Sequence, residues 1–150
     1  MTNFFAFEAD FVDSLRCIPM QVRLKLDTCG IKLKLAQWHQ LTPGDRQTLV
    51  DQPCETPDEI TAYRTALQQM VVDRTGAIAT DLPIDPAPPW ANSKIIPDSV
   101  QTKAAAVATL LTPTQWATLS PVQRFALIKL SRSGHENHNF LPALKEFQLV

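Results

Sequence analysis

Glycine is scarce: four residues in a chain of 150 leave little material for a succession of tight β-hairpins. Cysteine is scarce too. Cys17, Cys29 and Cys54 are odd in number and without paired spacing, which reads as reduced thiols in a cytosolic protein rather than a disulfide framework. They also fall short of the full thiolate set of an iron–sulfur centre. Charge of one sign is missing: 14 basic against 15 acidic residues give a net charge of −1, without the basic excess of a nucleic-acid protein. No apolar run approaches the roughly 18 residues of a spanning helix. Glu8 and Asp10 fall where an export signal needs a basic region and an unbroken apolar run, so the N-terminus does not read as one. Neither GxGxxG nor a Walker-type GxxxxGK motif occurs, which removes the usual phosphate cradles.

What the chain does contain is a repeat. Residues 18–50 recur at 96–128 at a fixed offset of 78 without a gap. Ile18, Pro19, Val22, Lys25, Leu33, Gln37, Trp38, Leu41, Pro43, Arg46 and Leu49 meet Ile96, Pro97, Val100, Lys103, Leu111, Gln115, Trp116, Leu119, Pro121, Arg124 and Leu127. Chance pairing at ordinary frequencies would give roughly two such identities. The chain reads as a two-fold structural duplication. A residue found at both matched positions is then scaffold, and one found in a single half is the better candidate for function.

The repeat bears on secondary structure. Residues 22–26 and 31–35 alternate apolar and polar side chains around Gly30 and by themselves resemble a hairpin. Their counterpart at 100–111 is rich in alanine, the best helix former, so both segments are read as helical. Pro19 and Pro97 are expected at the first helical position and Gly30 as a helix stop. Thr42-Pro43 and Ser120-Pro121 are N-cap and N1 pairs opening helices near 43–51 and 121–132, and Thr112-Pro113 repeats the device before Trp116. A longer helix is expected from Pro57 to Arg74, ending at Gly76, with Ile60, Tyr63, Leu67, Met70 and Val71 on one face. Pro83, Pro86, Pro88 and Pro89 make an extended connector pinned by Trp90. The predicted fold is all-α: one domain over residues 1–150, with two similar multi-helix halves at about 18–76 and 96–147 joined by a proline-rich connector at about 77–95.

Among side chains able to carry chemistry, Trp38 and Trp116 read as matched core anchors, with Pro19 and Pro97 as structural positions. Arg46 and Arg124 read as clamps on a carbonyl or carboxylate within each half, the alternative being a pterin or anion site. The unduplicated stretch Ser131–Phe140 is the densest polar segment. His135 and His138 have an i, i+3 spacing that can grip a metal, with Cys17 or Cys54 as remote partners. A small metalloprotein or enzyme built on that pair is the rival reading, although no nucleophile elbow accompanies it. The favoured reading is a hydrogen-bonded loop in which Glu136, Asn137 and Asn139 cap helix ends, Phe140 fills the core and the rim offers a recognition surface. His39 reads as a surface residue. Arg16, Arg23, Lys25, Lys32 and Lys34 are opposed locally only by Asp27, giving either a solvated face or a basic docking patch. Cys17 stands beside Arg16, and a reactive role for its thiol is the minor alternative. Residues Arg16, Cys17, Arg23, His135, Glu136, Asn137, His138 and Asn139 form the expected partner surface. No catalytic residue, metal ligand set or cofactor site is assigned.

Two stretches, Phe7–Leu33 and Gln123–Phe147, with the phrases Arg16-Cys-Ile-Pro-Met20 and Gly134-His-Glu-Asn-His138, resemble the nitrate reductase-associated protein family of cyanobacteria. The resemblance implies a small cytosolic accessory protein with no redox chemistry of its own. Its expected partner is an assimilatory nitrate reductase, a molybdopterin and iron–sulfur enzyme fed by ferredoxin, which it would serve as maturation factor or small subunit. Nothing in composition or periodicity points to nitrate metabolism, and the resemblance brings no assigned functional residues.

Overall fold

Hydroxyl–proline pairs set where four of the described helices begin. In the computed structural model, which describes residues 4–12, 14–132 and 137–150 without the side chains of Asp10, Phe11 and Asn137, the Thr42 hydroxyl accepts the Asp45 N–H at 3.0 Å. The Asp45 carboxylate accepts the Thr42 N–H in return at 3.2 Å, opening α4 (Pro43–Asp51). Thr56 and Glu59 open α5 (Pro57–Thr75) in the same way, Thr112 and Gln115 open α7 (Pro113–Thr118), and Ser120 and Gln123 exchange bonds at the start of α8 (Pro121–Arg132). Each is a reciprocal capping box, with proline at N1 where its missing N–H is no loss.

The first unit is built mainly from Glu8–Asp85. After α1 (Ala9–Val12), α2 (Met20–Cys29) ends at Gly30, whose φ of +78° suits a residue without a Cβ. A Cβ there would lie 2.7 Å from Ile84 Cγ1 and 3.0 Å from the Leu82 carbonyl. The chain then becomes extended. Ile31–Lys32 forms β1, paired antiparallel with β2 (Thr80–Asp81) in the register Ile31 to Asp81. The expectation of helix across residues 22–35 therefore holds as far as Cys29 and fails beyond it, because the left-handed turn at Gly30 ends the ladder. Residues 22–26 make no hairpin with 31–35. Pro19 and Pro97 are N-caps with extended backbone, one place earlier than expected.

α3 (Leu35–Gln40) and α4 follow, and α5 closes the unit with Tyr63, Leu67 and Val71 fully buried, Ile60 and Met70 packed partly against them. Trp38 and Leu49 share that core. The Arg64 guanidinium donates to the Cys29 and Gly30 carbonyls, each at 2.9 Å, and pairs with Asp81, tying β2 to the end of α2. Lys25 reaches the other helix terminus: its ammonium donates to Val50 and Gln52 carbonyls at 2.7 Å each. That bond set caps the C-terminal end of α4, where the helix dipole favours a cation.

The second unit comprises Phe5–Phe7 with Pro86–Val150. Its helices are α6 (Asp98–Ala106), α7, α8 and α9 (Phe140–Glu146). Phe125, Ala126, Leu127, Ile128 and Leu130 make α8 buried on nearly every side. It packs against α6, α9 and the turn Pro89–Ala91, where Trp90 meets the Phe125 ring edge-on at 5.0 Å. The connector tryptophan thus anchors the proline-rich segment, as expected from its size. At the opposite end of the sequence, the Ala6 and Phe7 N–H groups both donate to the Glu146 carboxylate at 3.0 Å, and Phe5 and Phe7 pack on Phe147. Among the described residues no helix is long and apolar enough to cross a membrane.

Candidate functional site

The turn between α1 and α2 carries Arg16 and Cys17, and side chains brace its backbone at three carbonyls, those of Leu15, Arg16 and Ile18. Leu15 sits at φ 58°, a left-handed conformation unfavourable for a branched side chain. Its carbonyl accepts the Trp38 indole N–H at 2.8 Å. The Arg16 carbonyl bonds His39 Nε2 at 2.8 Å, and because a carbonyl only accepts, Nε2 carries the proton. The Ile18 carbonyl accepts Arg23 Nε–H at 3.1 Å. The Met20 N–H donates to the carboxylate of Glu8, a side chain only 2% exposed, at the start of α2.

A second arginine holds the braces in place. Arg46 donates from Nε to the Trp38 carbonyl at 3.0 Å and from Nη2 to the His39 carbonyl at 2.8 Å, with its guanidinium 5.9 Å from the Trp38 ring centre. The expected internal clamp is therefore present at Arg46. Its effect is to fix the backbone of the Arg16–Cys17 turn while the Arg16 side chain stays exposed and Cys17 half-exposed. His39 is exposed, as expected of a surface residue, and its ring is part of the bracing.

The basic patch is smaller than the sequence suggests. Lys25 is turned onto the end of α4, its pKa pushed down chiefly by burial, and it lies 5.6 Å from the Tyr63 ring centre. Arg23 is half-buried and committed to Ile18. The cations left facing solvent on this part of the first unit are Arg16, Lys32 and Lys34. Two of the thiols are removed from chemistry: burial pushes Cys29 up to about 12 and Cys54 up to about 11, so both are neutral thiols at physiological pH.

In the second unit the expected elements separate. His138 is exposed, whereas Asn139 is buried and Phe140 is fully buried in the core. Asn139 stands at the N-cap of α9 but makes no capping bond from its side chain, since its backbone is helical rather than extended; the expected cap is absent. His135, Glu136 and the side chain of Asn137 lie outside the described residues. Among the described residues no group of three His, Cys, Asp or Glu side chains is gathered to hold a metal. Trp116 is a buried anchor like Trp38, its indole N–H donating to the Asn92 carbonyl at 2.9 Å.

Arg124 departs from its expected role. It is 6% exposed, and its Nε and Nη1 atoms are buried with no hydrogen-bond partner. The carbonyls that correspond to those held by Arg46 receive nothing from it, and burial pushes its pKa down. The clamp is thus found in one unit and missing in the other. Two further pairings had no clear sequence signal. Gln68 exchanges both amide bonds with the backbone of Ala79, and Gln101 does the same with Leu111, each glutamine holding an extended segment against a helix.

No curated protein and no solved structure matches the chain. A family model described as conserved nitrate reductase-associated protein matches residues 4–147, and the chain belongs to that family.

Proposed function

We propose that this chain is a non-catalytic accessory protein, a maturation factor or small subunit, that binds an assimilatory, ferredoxin-dependent molybdenum nitrate reductase in the cytoplasm. The observation that carries the reading is the family match across residues 4–147. The braced Arg16–Cys17 turn supports it as a docking element: a rigid backbone presenting an exposed cation loses little entropy on binding and suits an acidic partner surface. His138 is the described member of a second contact region. The reading also takes the chain as internally duplicated. Its support is that the helices starting at Met20, Leu35 and Pro43 are followed, 78 positions later, by helices starting at Asp98, Pro113 and Pro121. Unduplicated residues then carry recognition while matched ones build scaffold.

Co-purification tests the proposal. Tagged protein expressed in its own cells is expected to retain nitrate reductase, and loss of the gene is expected to lower nitrate reduction. If no complex forms and nitrate reduction is untouched by the deletion, the accessory role fails.

A further inference from the structure

We propose that Lys34 and Leu35, with Lys32 beside them, form a recognition knob that seats in an apolar hollow rimmed by carboxylates on the reductase. The assignment rests on the accessory reading and adds to it the chemistry of the contact. α3 begins in a way that the fold does not require. α4, α5, α7 and α8 open on a hydroxyl residue followed by proline at N1, whereas α3 opens on Lys34 and Leu35. Gln37 still accepts the Lys34 N–H at 2.9 Å, but an ammonium has no lone pair with which to return the bond, and Lys34 makes no capping bond from its side chain. Leu35 gives the core little in exchange, since it is 49% exposed. A local rule broken without a structural gain marks a position kept for function.

The repeat supplies the comparison. Leu33 and Leu111, and Trp38 and Trp116, are buried at matched positions. The solvent-facing positions between and after them differ in chemistry. Lys32, Lys34, Leu35 and His39 are exposed in the first unit, and 78 places later Leu110, Thr112, Pro113 and Ala117 are exposed in the second. One scaffold thus presents two cations and a leucine in the first copy and no charge at the matched positions of the second. Leu35 lies one helical turn from His39, whose ring is bonded to the Arg16 carbonyl at 2.8 Å, so the knob is continuous with the braced turn. Between Asp27 and Asp45 the chain carries no acidic side chain, and Asp81, brought alongside by β2, is paired with Arg64. An apolar centre with a cationic rim is complementary to an apolar hollow with an anionic one.

The second unit also prescribes the test. Lys34→Thr and Leu35→Pro give α3 the start that α7 has at Thr112 and Pro113. The backbone at Lys34 is already extended, with φ −79° and ψ 151°, as the residue before a proline requires. The double variant of the whole chain should therefore fold and melt at the parent's temperature or above it. Affinity for purified nitrate reductase is then measured for the parent, both single variants and the double variant, at low and physiological salt. Leu35→Pro should weaken binding roughly tenfold at both salts, chiefly through faster dissociation. Lys34→Thr should slow association at low salt and have a smaller effect at physiological salt. Equal affinity of the folded double variant overturns the knob and leaves the accessory role standing. A double variant that melts well below the parent also overturns it, because Lys34 and Leu35 then belong to the scaffold. Absence of binding by the folded parent overturns the accessory role and the knob together.

Discussion

The indole N–H of Trp38 donates to the carbonyl of Leu15 at 2.8 Å, joining a buried anchor to a left-handed residue just ahead of the exposed Arg16. One hydrogen bond thus links the core of the first unit to the geometry of its candidate docking turn. Trp38→Phe keeps most of the apolar bulk but leaves that carbonyl without its donor. We expect a loss of about 1–3 kcal/mol in urea unfolding, with protease cleavage first accelerated near residues 14–18. A variant as stable as the parent, with unchanged cleavage, would show that the brace is dispensable.

Positive-φ residues predict opposite responses to glycine. Ala108 at φ 58° and Gln148 at φ 60° follow helices that end without a glycine. Replacing either with glycine should raise stability by up to about 1 kcal/mol, since the left-handed region is strained for residues with a Cβ. The reverse change at Gly30 meets both strain and a 2.7 Å contact with Ile84, and should cost more than about 2 kcal/mol. At Gly76 a Cβ meets nothing within 4 Å, so Gly76→Ala should cost only about 1 kcal/mol. Chemical denaturation of the four variants gives the ranking directly.

Acid should reach the first unit partly through Asp45. The Arg74 side chain, bonded to it at 2.9 Å, is the largest influence holding its carboxyl below the ordinary range. A carboxyl with a depressed folded pKa contributes stability that is complete above the unfolded value near 4 and is lost as pH falls through the lower folded value. Because Arg74 is well exposed, solvent screening limits the contribution to below about 1 kcal/mol. Denaturation midpoints below pH 4 should therefore fall less steeply for Asp45→Asn than for the parent. Identical slopes would remove Asp45 from the acid response.

Thiol labelling should single out one residue. At pH 8 native protein is expected to react quickly at Cys17 alone. Cys29 and Cys54 are buried, bonded through Sγ to the Leu26 and Lys25 carbonyls, and held protonated. All three should react in denaturant. Rapid native labelling of Cys54, read by mass spectrometry, would contradict the burial described for it.

Much of this was legible in the sequence for specific physical reasons. Hydroxyl–proline pairs fix helix starts through local bonds that need no tertiary context, and so Pro43, Pro57, Pro113 and Pro121 are where they were expected. The face Tyr63, Leu67 and Val71 follows from helical period alone. What escaped depends on space rather than spacing. The strand at Ile31 is made by a partner at Asp81, fifty residues away, and the bracing of the Arg16 turn draws on Glu8 and, from α3, on Trp38 and His39. Arg46 and Arg124 are the sharpest case. Identical residues at matched positions predicted one role, yet only Arg46 finds carbonyls within reach, and a repeat in sequence does not carry over the surroundings of a side chain. His135 and Glu136, expected at the recognition surface, lie outside the described residues.

The central claim is that this chain binds nitrate reductase through exposed cations of the first unit, Arg16 of the braced turn and Lys32 of β1. The most direct measurement is the affinity of purified reductase for the purified chain, compared at low and physiological salt with the double variant Arg16→Glu, Lys32→Glu. Both side chains face solvent, so the variant should fold with unchanged Tm. The account predicts saturable binding by the parent that weakens with salt, and a loss of roughly tenfold or more for the variant. No binding by the folded parent at either salt would contradict the accessory role, and equal affinity of the variant would remove Arg16 and Lys32 from the interface.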